Sequence, residues 1–71
     1  MNRLNPRKLL LSKWTAAVVL NREKHFLVTE LFCAEDGTVL EIELQAVLSK
    51  RNQRLPWQDL QNADAWQTGW K

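Results

Sequence analysis

Side chains suited to nucleophilic catalysis are scarce in this sequence: one cysteine, Cys33, and one histidine, His25. A catalytic histidine needs a nucleophile or an orienting acid within hydrogen-bond reach. Both residues fall in "HFLVTELFCA", an apolar stretch that reads as a strand. Eight residues along a strand span about 26 Å, which excludes a Cys–His pair. His25 is therefore expected to make a structural hydrogen bond or to contact an indole, and Cys33 to be a small buried apolar group. Two ligands cannot complete the four of a structural zinc site. Glu41 and Glu43 alternate on one strand face and read as a solvated surface. Gly37 and Gly69 are the only glycines, and both have turn explanations, so there is no glycine-rich phosphate loop. No catalytic, metal or cofactor residue is assigned, no cofactor is expected, and the protein is expected not to be an enzyme.

The remaining signal is aromatic and basic. Three of the four tryptophans, Trp57, Trp66 and Trp70, fall in the closing stretch "PWQDLQNADAWQTGWK". An indole buries a large apolar body and keeps one N–H that needs a partner. The cluster is thus either the cover of a small core or a stacking platform, and Trp70 is the indole most expected to be exposed. Basic residues stand beside aromatics at Lys13-Trp14, Lys24-His25-Phe26 and Trp70-Lys71, with Arg54 near Trp57. Exposed aromatics flanked by Lys and Arg bind single strands by stacking and phosphate contact. On that reading Lys13, Lys50, Arg51 and Arg54 are the candidate nucleic-acid contacts. The net charge is +2, and the acidic stretch from Glu30 to Glu43 opposes it. The preferred reading is a small accessory or protein-interaction domain, pairing with another protein or with itself through Phe26, Val28, Phe32 and Trp70.

These residues need a scaffold. "NPRKLLL" offers Asn5 as an N-cap and Pro6 at the first helical position, for one or two turns. "KWTAAVVL" is rich in strand formers, "NREK" reads as a turn, and Asp36-Gly37 is a strong hairpin signal. "VLEIELQAVL" alternates, although Leu40, Leu44, Val47 and Arg51 also have helical spacing. A loop of two or four residues at Asp36-Gly37 places Leu31 opposite Ile42, Thr29 opposite Leu44 and Leu27 opposite Ala46. A loop at Asn21–Lys24 places Trp14 opposite Leu31. All three strands then share one apolar face, and Phe26, Val28 and Phe32 lie on the other. The tail adds helical turns at "PWQDL" and "ADAWQT", with Gly69 ending the second.

The fold expected is mainly β: a three-stranded antiparallel meander, about 13–20, 25–34 and 38–48, covered by a Trp-rich C-terminal segment with short helical turns. An SH3-like barrel, with 53–57 adding a strand, is the alternative, and a small α+β domain is a further one. Trp14, Leu31, Ile42, Leu44, Trp57, Leu60 and Trp66 are the expected core. Seventy-one residues make one domain, 1–71, with 1–5 expected to fray. A chain this short buries only about 60% of its unfolded surface, and a single cysteine forbids an internal disulfide. The free thiol suggests a reducing compartment. The longest early apolar run, Leu9-Leu10-Leu11, is too short for a signal peptide or a membrane span. A cytoplasmic protein without membrane or metal partners is expected.

"NPRKLLLSKWTA", "EKHFLVTE", "PWQDL" and "WQTGW" together resemble a family of small tryptophan-rich bacterial proteins of unknown function. The resemblance runs from Asn5 to Trp70, carried by Pro6, Lys13, Trp14, Thr15, His25, Phe26, Trp57, Leu60, Trp66 and Gly69 between them. It implies a bacterial cytoplasmic protein and supplies no activity.

Overall fold

The structure is a computed structural model and describes residues 2–71. A 3-10 turn at Pro6–Lys8 opens it, followed by β1 (Lys13–Leu20), β2 (Glu23–Cys33), β3 (Val39–Ala46) and β4 (Asn52–Pro56). A second 3-10 turn, Trp57–Gln61, leads to β5 (Trp66–Thr68). The strands form one antiparallel sheet in the order β4-β3-β2-β1-β5. The mainly β expectation holds, with five strands where the meander had three. The strand foreseen at 53–57 in the barrel alternative forms at Asn52–Pro56, but β4 and β5 remain the two edges of an open sheet. The helical turn at "PWQDL" is present, whereas "ADAWQT" makes a single hydrogen-bonded turn, with the Trp66 N–H donating to the Asn62 carbonyl at 2.9 Å, and then passes into β5. Its Trp66–Thr68 segment pairs with Trp14–Ala16, and β pairing overrides the weak local helical preference.

The first turn forms as its sequence implies. Asn5 Oδ1 accepts from the Arg7 N–H at 3.1 Å, and Pro6 sits at the start. The segment expected to fray is held at Asn2, whose side chain donates to the Leu60 and Trp66 carbonyls at 2.8 and 2.9 Å. Met1 lies outside the described residues.

The hairpin between β2 and β3 departs from expectation. The Ala34 N–H donates to the Thr38 carbonyl at 2.8 Å and the Gly37 N–H to the Ala34 carbonyl at 2.9 Å. The loop therefore has three residues, Glu35 to Gly37, with Gly37 at φ 88°. Such a loop takes a residue in the left-handed region at its last position, and glycine supplies it without strain. Three residues would set the wrong parity, but two insertions correct it. Cys33 faces Val39 while Phe32 faces Glu41, so Leu40 is extra on β3. Val28 faces Leu44 while Glu30 faces Glu43, so Thr29 is extra on β2. Leu31 opposes Ile42 as expected, but Val28 and Phe26, not Thr29 and Leu27, oppose Leu44 and Ala46. A bulge carries successive side chains to the opposite face, and β2 uses one to change faces midway. The loop before β2 is also shorter than the expected Asn21–Lys24. Leu20 pairs Glu23 across Asn21 and Arg22, and Trp14 pairs Phe26 rather than Leu31.

The core follows from this register. Leu9, Trp14, Phe26, Val28, Ile42, Leu44, Ala46 and Leu60 are buried together, with Leu31, Leu55, Trp57 and Trp66 packed against them. Every residue of the expected core is in or against this cluster. Trp14 satisfies its indole N–H on Ser12 Oγ at 2.9 Å. Leu60, fully buried in the second 3-10 turn, ties that turn to the sheet. Leu60→Ala is expected to lower stability by about 2–5 kcal/mol, measured as a fall in the urea midpoint at unchanged slope.

Candidate functional site

The two-residue turn at Asn21 and Arg22 builds one wall of a cleft. Both turn residues have positive φ, 55° and 61°, as a primed hairpin turn requires. The chain then enters β2 with Glu23 directed inward and 4% exposed. An isolated carboxylate at such a position would be strongly disfavoured. Arg51 meets it with two guanidinium nitrogens, Nε to Oε2 at 3.1 Å and Nη2 to Oε1, and the Ser49 hydroxyl donates to Oε2. The Arg51 and Ser49 hydrogen bonds hold the Glu23 pKa down at about 2, against the opposing effect of burial. Arg51 is raised in turn by the Glu23 hydrogen bond. Its guanidinium side chain remains 60% exposed, so the pair closes the wall from outside.

Beside this pair lies a cleft of about 350 Å³ lined by Ala16, Val18 and Leu20 of β1, Phe26 of β2, Gln53 of β4 and Ala65 and Trp66 at β5. Gln53 and Trp66 belong to the two opposite edge strands, so the sheet curls until its edges face one opening. Trp66 meets Phe26 edge-on with ring centroids 5.1 Å apart, which makes an aromatic floor. Val18 and Leu20 stay 68% and 67% exposed at the rim. Asp64 also lines the opening. The Glu23 and Arg51 charges cancel, and Asp64 is left as the uncompensated charge.

The foreseen interaction surface does not form as one patch. Phe26 and Val28, 5% and 0% exposed, are core residues, because the Thr29 insertion turns them inward. Phe32 is half-buried under Arg54, whose guanidinium carbon lies 3.8 Å from the ring centre while its Nε donates to Glu41 at 2.8 Å. Trp70 is 45% exposed, as expected. The candidate nucleic-acid contacts also part company. Arg51 and Arg54 are engaged by Glu23 and Glu41, and Lys50 is exposed in the turn before β4. Lys13, on the far side of β2, has its Nζ 4.7 Å from the Trp70 ring centre. His25 also neighbours this indole, 6.0 Å from Trp70 between centroids, with Nε2 3.0 Å from the Lys71 carbonyl. Trp70 donates its N–H to the Phe26 carbonyl at 2.9 Å. The expected structural contact of His25 with an indole is present. Cys33 is exposed rather than buried, because β2 ends there at the mouth of the hairpin. His25 and Cys33 sit near opposite ends of β2.

The cleft escaped sequence reasoning because Glu23 fell inside an expected loop and its partner Arg51 is 28 residues away. The one local signal was "AAVVL", an apolar run longer than a half-buried strand needs. Among the described residues, no group of three or more His, Cys, Asp or Glu side chains is disposed to hold a metal ion. No helix among them is long and apolar enough to cross a membrane.

With this geometry in place, the chain can be compared with known families. The family described as Tryptophan-rich protein (DUF2389) matches residues 12–71. The chain belongs to this family. Its function is unknown. No curated protein and no solved structure matches the chain. The segment matching the tryptophan-rich family holds all five strands and every tryptophan, and it leaves out the Asn5-capped turn.

The Glu23 cluster generates a pH dependence with a definite sign. Its folded pKa of about 2 lies below the ordinary 4.5, so the folded state favours the charged form. The contribution is full above pH 4.5 and is lost as pH falls toward 2. Glu23→Gln is expected to lower the urea midpoint at neutral pH, and the gap to the wild type is expected to narrow through that window.

Proposed function

We propose that this tryptophan-rich domain is a non-enzymatic interaction module that holds a short apolar segment of another protein in the cleft between β1, β2, β4 and β5. The supporting observation is the aromatic floor of Phe26 and Trp66 beneath a rim where Val18 and Leu20 remain two-thirds exposed. Apolar pockets with a few placed polar groups are the usual form of binding sites. Asp64, uncompensated at the opening, favours a segment that carries a basic residue next to its apolar anchor. In this reading the domain works in the cytoplasm, where an exposed thiol such as Cys33 stays reduced.

A phage-displayed peptide library panned against the immobilised domain tests the reading. Peptides with an apolar anchor beside Lys or Arg are expected to be enriched. Val18→Glu and Leu20→Glu, both at exposed positions, are expected to weaken binding at least about tenfold. A panel without enrichment, or one that tolerates both changes, overturns the reading.

One observation favours a second reading. Trp70 is exposed, with Lys13 over its ring and His25 beside it, which is the composition of a stacking site for a single-stranded nucleic acid. Fluorescence anisotropy of a labelled oligothymidine separates the two. If this reading holds, affinity falls steeply between about 50 mM and about 200 mM salt and is lost in Trp70→Ala.

A further inference from the structure

The face of the sheet turned away from the cleft carries the end of the chain. Trp14 and Phe26 oppose each other and point into the core, so the flanking pairs Lys13–Leu27 and Thr15–His25 share the other face. Thr15 Oγ1 donates to the Gly69 carbonyl at 2.6 Å and accepts from the Lys71 N–H at 2.9 Å. Together with the Trp70 N–H on the Phe26 carbonyl, these bonds hold an indole that keeps 45% of its surface exposed.

His25, beside this indole, also lines a recess of about 270 Å³ with Arg22, Lys24, Val47 and Leu48. The Val47 N–H donates to the His25 carbonyl at 2.9 Å, which brings the turn after β3 level with His25. Arg22 and Lys24 are exposed and make no ion pair among the described residues. Glu23 stands between them in sequence, but its side chain lines the cleft and is engaged by Arg51. The nearest acidic side chain along β3 is Glu43, four residues before Val47, or about 13 Å of extended chain. The recess is therefore basic without a local counter-charge from an acidic side chain.

We infer that this recess is a phosphate subsite: a single-stranded nucleic acid crosses the face along β2, with a base on Trp70 and its flanking phosphates at Lys13 and at Arg22–Lys24. The inference rests on the reading of Trp70 as a stacking site and adds the path of the backbone past it. Lys13 is level with Leu27, three residues from Lys24, so the two basic points lie about 10 Å apart along the strand. Trp70 touches Lys13 and His25 and so lies between them. A positive track along the backbone, interrupted by an aromatic platform, is the usual build of a single-strand site. The indole is already locked by its hydrogen bonds, so stacking on it costs little ordering.

Anisotropy of a labelled oligothymidine between about 50 mM and about 200 mM salt tests the inference, because each phosphate engaged on a single strand adds about 0.7 to the slope of log affinity against log salt. Arg22→Gln combined with Lys24→Gln is expected to weaken binding at least about fivefold at low salt and to flatten the slope by about 0.7 or more. Arg22→Lys combined with Lys24→Arg is expected to retain both. Arg7→Gln combined with Lys8→Gln removes the same charge from the opening turn and is expected to flatten the slope less. All of these side chains are exposed, so each variant is expected to keep the wild-type urea midpoint. An unchanged slope in the recess variant, or an equal change in the opening-turn variant, overturns the inference. Binding that is lost in Trp70→Ala but indifferent to Arg22 and Lys24 removes the recess alone and leaves the stacking reading. Binding that needs Arg22 and Lys24 but survives Trp70→Ala removes the stacking reading and leaves the recess as a phosphate site. No binding by the wild type removes both.

Discussion

Between Val28 and Glu30 the central strand β2 carries one residue more than β3 opposes, and the arrangement of the whole domain depends on that insertion. β2 is paired on both sides, so its facing decides which side chains of β1 and β3 can join the core. Without Thr29 as the extra residue, Phe26 and Val28 would point away from Leu44 and Ala46, and Trp14 would lose Phe26 as its neighbour across the strand pair. The insertion is held in place locally. Thr29 Oγ1 donates to the Glu43 carboxylate at 2.8 Å and reaches the Glu43 carbonyl at 3.4 Å. A hydroxyl on a residue displaced from the ladder thus recovers polar contacts on the partner strand, which limits the cost of the irregularity.

The two ends of the curled sheet are closed by different physics. At one end Leu9 and Leu60, from the segments before β1 and after β4, fill the interior with aliphatic side chains. At the other end a carboxylate takes that place. Glu23 is shielded from solvent, and its desolvation is offset by a two-point contact with Arg51 and a hydroxyl from Ser49. Replacing a buried pair with apolar groups is often neutral or stabilising, so stability alone does not favour an ion pair here. An ion pair does fix the turn before β4 against the start of β2 while leaving the space between them open. An aliphatic plug would have filled the cleft.

Much of this was legible from local chemistry. The Asn5-Pro6 turn, the helical turn at Trp57–Gln61, the alternation of Ile42, Leu44 and Ala46, and the partial exposure of Trp70 each follow from residues within a few positions of one another. The facing of Phe26 and Val28 did not, because face assignment is a running count and one inserted residue inverts everything beyond it. The search for one apolar face assumed uninterrupted strands, and two insertions satisfied the same hydrophobic demand by another register. A three-residue loop at Gly37 by itself inverts the facing of the strands it joins, yet the extra Leu40 immediately undoes that effect. The cleft was illegible for a different reason. Its lining comes from four strands and its charged wall from residues 28 apart, so no window of sequence contains it.

The tryptophans that dominate the composition divide between these tasks. Trp14 is enclosed, and Trp57 and Trp66 are half-buried against the core, supplying bulk that a short chain without a disulfide has no other way to provide. Trp66 does a second thing at the same time, since its ring also forms the cleft floor against Phe26. Trp70 stands apart, its N–H anchored to the backbone of β2 and its ring left under Lys13. An indole placed only for core volume would not be left half outside. The division therefore separates residues that make the domain stable from those that give it a surface, and Trp66 couples the two. Any change to its packing alters the floor of the cleft and the seating of β5 together.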